Sequence, residues 1–471
     1  GDVLMIGVSM GMTSEEPITH LAWFADLLVQ AALPAAEHML VMTLPGSYLD
    51  QFAKEHHVPS RPLQPDGGTG TGGRMSAPTT RVFLLPAAFA LLQQSHQPGK
   101  LRTVLRRAWK TYDLELATLK PAGHPFVRLA AAMSEASQDG ACSLLLRMPA
   151  GWDALTAWIE QLMEESLGKG GKGVVVFNDQ RIHSAKDEGK RKGLLPTLPI
   201  SHPYNDDEDG NRLWVYVVTA STEGISKETV ESAFVLSQPY LAATDASERL
   251  AAVAASFLGW QLSMALFGYL HGITFAGQPA VENYKARART LRIQDDPLCE
   301  LEGWDAQYIE GILTLYAPQD TGAQGDNMAV CVARTLREAR AAKRLSYLDG
   351  TINGEASQAF LAMFERHLRY MGNDRLGVPV KLRRAPADYH STEQSEMDGP
   401  PSLVSLRLLA RQHEVCMIGV YNDMFLRAQA VSTWQAMLEQ GRSCFLLVID
   451  GYFEDAMKSV AQFFESVASQ L

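Results

Sequence analysis

Short apolar runs alternate along this chain with longer stretches whose apolar positions recur every three to four residues, the pattern of strands covered by helices. Residues 3–8 (VLMIGV) read as a buried strand, 15–31 as a helix and 39–44 (MLVMTL) as a second strand closed by a Pro-Gly-Ser turn, which makes a βαβ unit. A glycine-rich loop at 66–74 (DGGTGTGGR) precedes the apolar run 82–92, and helical stretches over 101–116 lead to a boundary near residue 120. The alternation then restarts, with strands at 141–147, 173–177 and 213–219 and a helix over 152–166. The charged, Gly- and Pro-containing stretch 184–211 reads as a surface loop. A long helix over 247–268 carries Leu250, Val253, Phe257, Leu262 and Leu266, a stripe suited to burial between layers.

The last third predicts a loop at 318–326, helices over 327–342 and 357–370, and a strand at 378–382 leading towards Tyr389 and His390. Further helices are expected beyond residue 400, with a final apolar run at 444–449 before a terminal helix. The expected class is α/β.

Composition narrows the function classes. A chain of 471 residues with 46% hydrophobic content exceeds one ordinary domain. Its 42 basic and 53 acidic residues give a net charge of -11, which argues against a surface built on counterion release from nucleic acid. Cys142, Cys299, Cys331, Cys416 and Cys444 are scattered without CxxC pairs, so neither a disulfide framework nor a zinc site is indicated, and a reducing compartment fits. No run of ~18 uninterrupted apolar residues proposes a membrane span. The expectation is a cytoplasmic chain with neither nucleic acid nor membrane as partner. With no initiating Met and a strand already under way at residue 3, the chain is expected to begin inside a domain.

Candidate chemistry falls in four ordered segments: 71–77 (TGGRMSA), 164–174 (EESLGKGGKGV), 275–285 (FAGQPAVENYK) and 389–394 (YHSTEQ). Glu165 ends an amphipathic helix before a glycine- and lysine-rich turn, where a carboxylate is either a base or a solvated helix end beside Lys169 and Lys172. Arg74 follows Gly72 and Gly73, glycines that let backbone approach a ligand, and its guanidinium is permanently charged. Neither glycine-rich stretch has the GK[ST] ending or the GxGxxG strand-turn-helix context of a nucleotide loop. Gln278 and Lys285 lie about two helical turns apart and share a face if the segment is helical. His390 offers an imidazole able to shuttle a proton near neutrality.

In this order the segments resemble motifs of the phosphoglucose isomerases, most nearly the isomerase half of bacterial transaldolase/phosphoglucose isomerase fusions, whose HSTGQ motif is matched by 390–394. The resemblance runs over nearly the whole chain. It implies two doubly wound αβα sugar-isomerase domains: residues 1–120, incomplete at the N-terminus and with linking helices, and residues 121–300. Residues 301–471 then supply C-terminal helices and returning strands that carry the His390 motif. The implied reaction interconverts glucose 6-phosphate and fructose 6-phosphate through an enediolate, with no metal and no cofactor. By resemblance His390 and Lys285 open the ring, Glu165 relays the proton and Arg74 stabilises the enediolate. Ser9, Thr13, Ser14, Gly73, Gln278 and Gln394 would bind the sugar phosphate. The resemblance also implies a homo-oligomer and a fused or associated transaldolase.

The chain departs from the family at specific places. Residues 9–16 (SMGMTSEE) stand where a SKSGTTxET-like phosphate loop is expected, with Met10 for the lysine and Gly11 for a serine. Glu393 replaces the glycine of HSTGQ, the lysine of the following LHKGGP is missing from 395–400, and Ala276-Gly277 replaces the FD of FDQ. The altered phosphate loop and Glu393 support a rival expectation: a non-catalytic isomerase-fold protein serving as a phosphosugar-binding, regulatory or assembly subunit. Isomerisation of a different phosphosugar is a third.

Overall fold

A computed structural model of the chain describes residues 3–10, 15–68, 78–95, 97–178, 212–219, 233–321, 327–386, 392–413 and 421–471. It divides into two compact units.

The first unit comprises Gly1–Arg128, Gln238–Leu266 and Cys416–Asn422. Strands β1 (Met5–Val8), β2 (Met39–Thr43) and β3 (Ser60–Pro62) form a parallel sheet in that order. The Glu15–Gln30 helix is the crossover from β1 to β2, and its Leu21, Ala25 and Leu28 share a core with Val41, Leu49 and Phe52. Gly7 in β1 admits the Leu21 side chain where a Cβ would overlap it. The apolar run at 82–92 is a helix, Arg81–Ser95, and its Phe83 and Ala87 pack with Ala108, Ala254 and Ala255.

Ala254 and Ala255 belong to the Ala246–His271 helix, which by length and composition alone could cross a membrane, with mean hydropathy 1.6 over its most apolar window. Of that window 56% is buried inside the protein. Trp260 is fully buried with its ring edge-on to Phe126 at 5.8 Å, Ser263 Oγ donates to Phe126 O at 2.7 Å, and Gly259 leaves room for the Phe126 ring. Such packing is that of a core helix.

The second unit comprises Leu129–Ser237, Phe267–Val415 and Asp423–Leu471. Its first sheet, β4 (Ser143–Arg147), β5 (Val175–Asn178), β6 (Arg212–Val218) and β7 (Phe234–Ser237), is wholly parallel in the order β5-β4-β6-β7. The second contains β8 (Gln307–Glu310), β9 (Leu313–Tyr316), β10 (Tyr347–Asn353), β11 (Val380–Ala385), β12 (Leu403–Ala410) and β13 (Ser443–Ile449). Its order is β11-β10-β12-β13-β9-β8, parallel from β11 to β13 and antiparallel where the β8-β9 hairpin joins.

This larger sheet is doubly wound. On one face Leu348, Ile352, Leu406, Leu408 and Phe445 share a core with the Met328–Ala341, Gln358–Arg369 and Met457–Ser469 helices. On the other, Tyr347, Leu403, Leu409 and Leu446 share a core with Tyr284 of the Pro279–Leu291 helix and Trp434 of the Asp423–Glu439 helix. Leu145, Val175 and Phe177 of the four-stranded sheet join that second core.

Two expectations are corrected. Residues 403–410, within the stretch expected to be helical, form β12, and β10 was not foreseen as a strand. Both strands alternate: Asp349, Thr351 and Asn353 interrupt β10, and Ser405 and Arg407 interrupt β12, so neither shows the continuous apolar run expected of a strand buried on both faces.

Candidate functional site

The Asp153–Leu167 helix buries Leu155, Ile159, Leu162 and Met163, and its last turn, Glu164 to Leu167, is buried as well. It stops at Gly168. A Cβ on Gly168 would collide with the backbone of Ser395, so only glycine lets the two segments touch. The turn that follows places Gly170, Gly171 and Gly173 at positive φ, and it bonds outward. Lys169 Nζ donates to Thr274 O at 2.7 Å and Ala276 O at 3.1 Å, Lys172 Nζ to His271 O at 3.0 Å, and Gly171 N to Asp398 O at 2.8 Å. The lysines thus have backbone carbonyl partners around the 271–276 segment.

Gln394 joins this turn to the next motif. It is fully buried in the short Glu393–Asp398 helix, where its Nε2 donates to Gly168 O at 3.0 Å and to Asp398 Oδ2 at 3.3 Å. Its Oε1 accepts from Ala280 N at 3.2 Å, at the start of the Pro279–Leu291 helix. Gln278 occupies the N-cap position of that helix without a capping side-chain bond, and Lys285 lies two turns on. Lys285 Nζ is 3.9 Å from Glu393 Oε1, and Tyr284 OH donates to Glu393 Oε2. Glu393, whose charge conflicts with an anionic ligand in the sequence reading, is therefore turned into the protein, 1% exposed and set between a phenol and an ammonium.

Glu165 is 7% exposed, and its Oε2 accepts from Gln161 Nε2 at 3.2 Å. Its neighbour Glu164 has a different role. Glu164 Oε1 accepts from Val176 N at 2.8 Å and from Lys381 Nζ, while Lys381 also donates to Glu160 Oε1 at 2.9 Å. Complete burial pushes the Glu164 carboxyl up, opposed by the Lys381 ammonium.

Lys381 opens a charged row on the inner face of the larger sheet. Arg383 Nε donates to Asp349 Oδ1 at 2.8 Å and its Nη1 to Thr392 Oγ1 at 2.5 Å, while Arg407 Nη2 donates to Glu396 Oε1 at 2.6 Å. Ser405 Oγ stands 2.9 Å from Asp349 Oδ2 and 3.2 Å from Glu396 Oε1. Burial lifts Asp349 to about 7, against the pull of Arg383 and with a further push from Glu396. Sequence reasoning missed Glu164, Asp349, Lys381, Arg383, Glu396 and Arg407. Polar residues at alternate positions of β10, β11 and β12 were the available signal for Asp349, Lys381, Arg383 and Arg407, whereas Glu164 and Glu396 stand in helices.

Ser9 follows β1 in the first unit, where its N–H donates to Met42 O at 3.2 Å. The helix after it begins with Glu15 and Glu16, which already answer the positive N-terminal dipole. Thr13, Ser14, Gly73, Arg74 and His390 lie outside the described residues. Glu165, Gln278, Lys285 and Gln394 stand in the second unit, in segments joined through Gln394. No group of three or more His, Cys, Asp or Glu among the described residues could hold a metal ion.

The fold that carries these residues is α/β, built on parallel sheets with one of them doubly wound. No family model and no curated protein matches the sequence. Among solved structures the chain is similar to a hypothetical protein of Thermus thermophilus, at 15% identity and a TM-score of 0.26 over 82% of this chain and 88% of that one. It is similar to a glucose-6-phosphate isomerase of Chlamydia trachomatis at 16% identity and a TM-score of 0.41, over 61% of this chain and 58% of that one. The C-terminal domain of a glucosamine-fructose-6-phosphate aminotransferase of Francisella tularensis gives 8% identity and a TM-score of 0.21, over 85% of this chain and 96% of that domain.

Proposed function

We propose that the chain is a phosphosugar aldose-ketose isomerase, with glucose 6-phosphate and fructose 6-phosphate as its substrate pair. The observation that carries this reading is the double bond-making of Gln394, which ties the end of the Glu165 helix to the start of the Lys285 helix. Three of the four ordered motifs thereby meet within one unit.

Isomerisation moves a proton between adjacent carbons, which needs a base near the substrate and a cation beside the enediolate oxygen. Glu165 takes the proton from C2 of the aldose and returns it to C1, and Arg74 balances the charge that develops on oxygen. Lys285 and His390 open the ring, with Gln278 on the sugar and Ser9, Thr13, Ser14 and Gly73 towards the phosphate. Neither a metal nor a cofactor is required. A cytoplasmic homo-oligomer, with a transaldolase fused or associated, belongs to the same reading.

The Glu393 pair supports a second reading, a non-catalytic phosphosugar-binding subunit. Where the resembling family has glycine, this chain has a carboxylate 3.9 Å from Lys285 Nζ.

A coupled assay of fructose 6-phosphate turnover on the intact gene product, beside Glu165→Gln, separates the two. Loss of a general base lowers turnover by roughly 10² to 10⁴. Absence of turnover in the unmodified protein, or equal turnover in the variant, removes the catalytic reading.

A further inference from the structure

Among the described residues of the second unit three arginines are buried, and two of them have carboxylate partners: Arg383 with Asp349 and Arg407 with Glu396. The third, Arg442, is 5% exposed and pairs with no carboxylate among the described residues. Its Nε and Nη2 donate only to the backbone carbonyls of Met397 and Gly399, and its Nη1 has no partner. Burial holds its basicity below the ordinary value. Asp398 and Glu396 act on it from a distance without pairing with it, and burial still outweighs them, a desolvation cost that a bound anion lowers.

Space for that anion adjoins it. Arg442 borders a cavity of about 490 Å³ at the amino ends of β12 and β13, a volume suited to a small metabolite. Its walls include Arg344, Ser402, Ser443 and Trp304. Glu338 is the one carboxylate among the lining residues described, and Arg334 stands 3.9 Å from it. Arg344 is exposed and, like Arg442, pairs with no carboxylate among the described residues. Two guanidiniums against one carboxylate leave the wall positive, and the serine hydroxyls add donors. None of Glu165, Gln278, Lys285 or Gln394 lines the cavity.

We propose that this cavity binds the phosphate group of a small phosphorylated molecule, held by Arg344 and Arg442 and assisted by Ser402 and Ser443. The guanidinium fork of Arg344 matches phosphate oxygens two at a time, and Arg442 adds its positive charge from the wall.

The test is calorimetric titration with inorganic phosphate at fixed ionic strength, in the full chain and in Lys285→Gln, which removes a cation from the candidate isomerase site. Saturable binding is expected with the same affinity in both. Arg344→Gln should weaken it about tenfold to a hundredfold, the worth of a charge-assisted contact. Ser443→Asp should abolish it by placing a carboxylate in the wall. Because Arg442→Gln also removes the bonds to Met397 and Gly399, the exposed Arg344 carries the decision. No saturable binding, affinity lost in Lys285→Gln, or affinity retained in either Arg344→Gln or Ser443→Asp overturns the proposal.

Discussion

The side-chain amide of Gln394 donates to the carbonyl of Gly168 at 3.0 Å, and its carbonyl accepts from the backbone of Ala280 at 3.2 Å. One fully buried side chain thus holds together two helix termini that the sequence separates widely. Gln394→Leu keeps the volume and leaves Gly168 O and Ala280 N without that partner. A loss of about 2 to 6 kcal/mol is expected, since each of the two polar groups left unsatisfied costs about 1 to 3 kcal/mol. Urea denaturation measures it, and a change under about 1 kcal/mol would show that the bridge contributes little.

Gly168→Ala tests the close approach directly. The added carbon meets the Ser395 backbone at a φ of -72°, so the strain comes from overlap and not from the dihedral. Overpacking of this kind costs about 1 to 3 kcal/mol. Gly170→Ala is the control: φ is +61° and nothing lies within 4 Å of the new carbon, so only the left-handed penalty of about 1 to 2 kcal/mol applies. Fructose 6-phosphate turnover should fall with the first substitution and hold with the second.

Part of the scaffold was legible because its apolar pattern is unbroken: β2, β4, β13 and the Asp153–Leu167, Met328–Ala341 and Gln358–Arg369 helices stand where that pattern places them. Strands β10 and β12 were not legible, since one face of each carries Asp349, Thr351, Asn353, Ser405 or Arg407, and their burial depends on partners brought in from β11 and the Glu393–Asp398 helix. Glu164, on a helix, was hidden for another reason. Two adjacent glutamates look alike in sequence, and only the fold turns one to Lys381 and the other to Gln161. Motif resemblance picked out Glu165, Lys285 and Gln394. It did not reveal that Gln394 is enclosed and bonded to backbone at both ends.

The Glu164–Lys381 pair should behave as a buried ion pair. Lys381→Met leaves the carboxylate enclosed beside Val176 and is expected to cost about 3 to 5 kcal/mol at neutral pH. The double variant Glu164→Gln/Lys381→Met should recover a large part of that loss, because the fully enclosed charge of Glu164 is gone and only Glu160, whose side chain is 18% exposed, loses its ammonium. A double-mutant cycle by chemical denaturation reads the coupling, and additive losses would exclude it.

Asp349 sets a pH dependence with a definite sign. The folded chain holds this proton to about 7, whereas an unfolded aspartate releases it near 3.8. Between those values the folded state binds more protons, so stability should fall as pH rises from about 4 to about 7, by at most roughly 1.4 kcal/mol per pH unit from this group, and level off above. Burial is the main cause, with Glu396 across Ser405 adding to it and Arg383 and Arg407 opposing it. Asp349→Asn carries no titrating proton at this position, so its stability between pH 5 and 7 should decline less steeply than that of the unmodified chain. Urea denaturation at pH 5, 6, 7 and 8 compares the two slopes. Equal slopes would mean that the proton resides elsewhere, with Glu164, another buried carboxyl pushed up by its surroundings, the next group to replace.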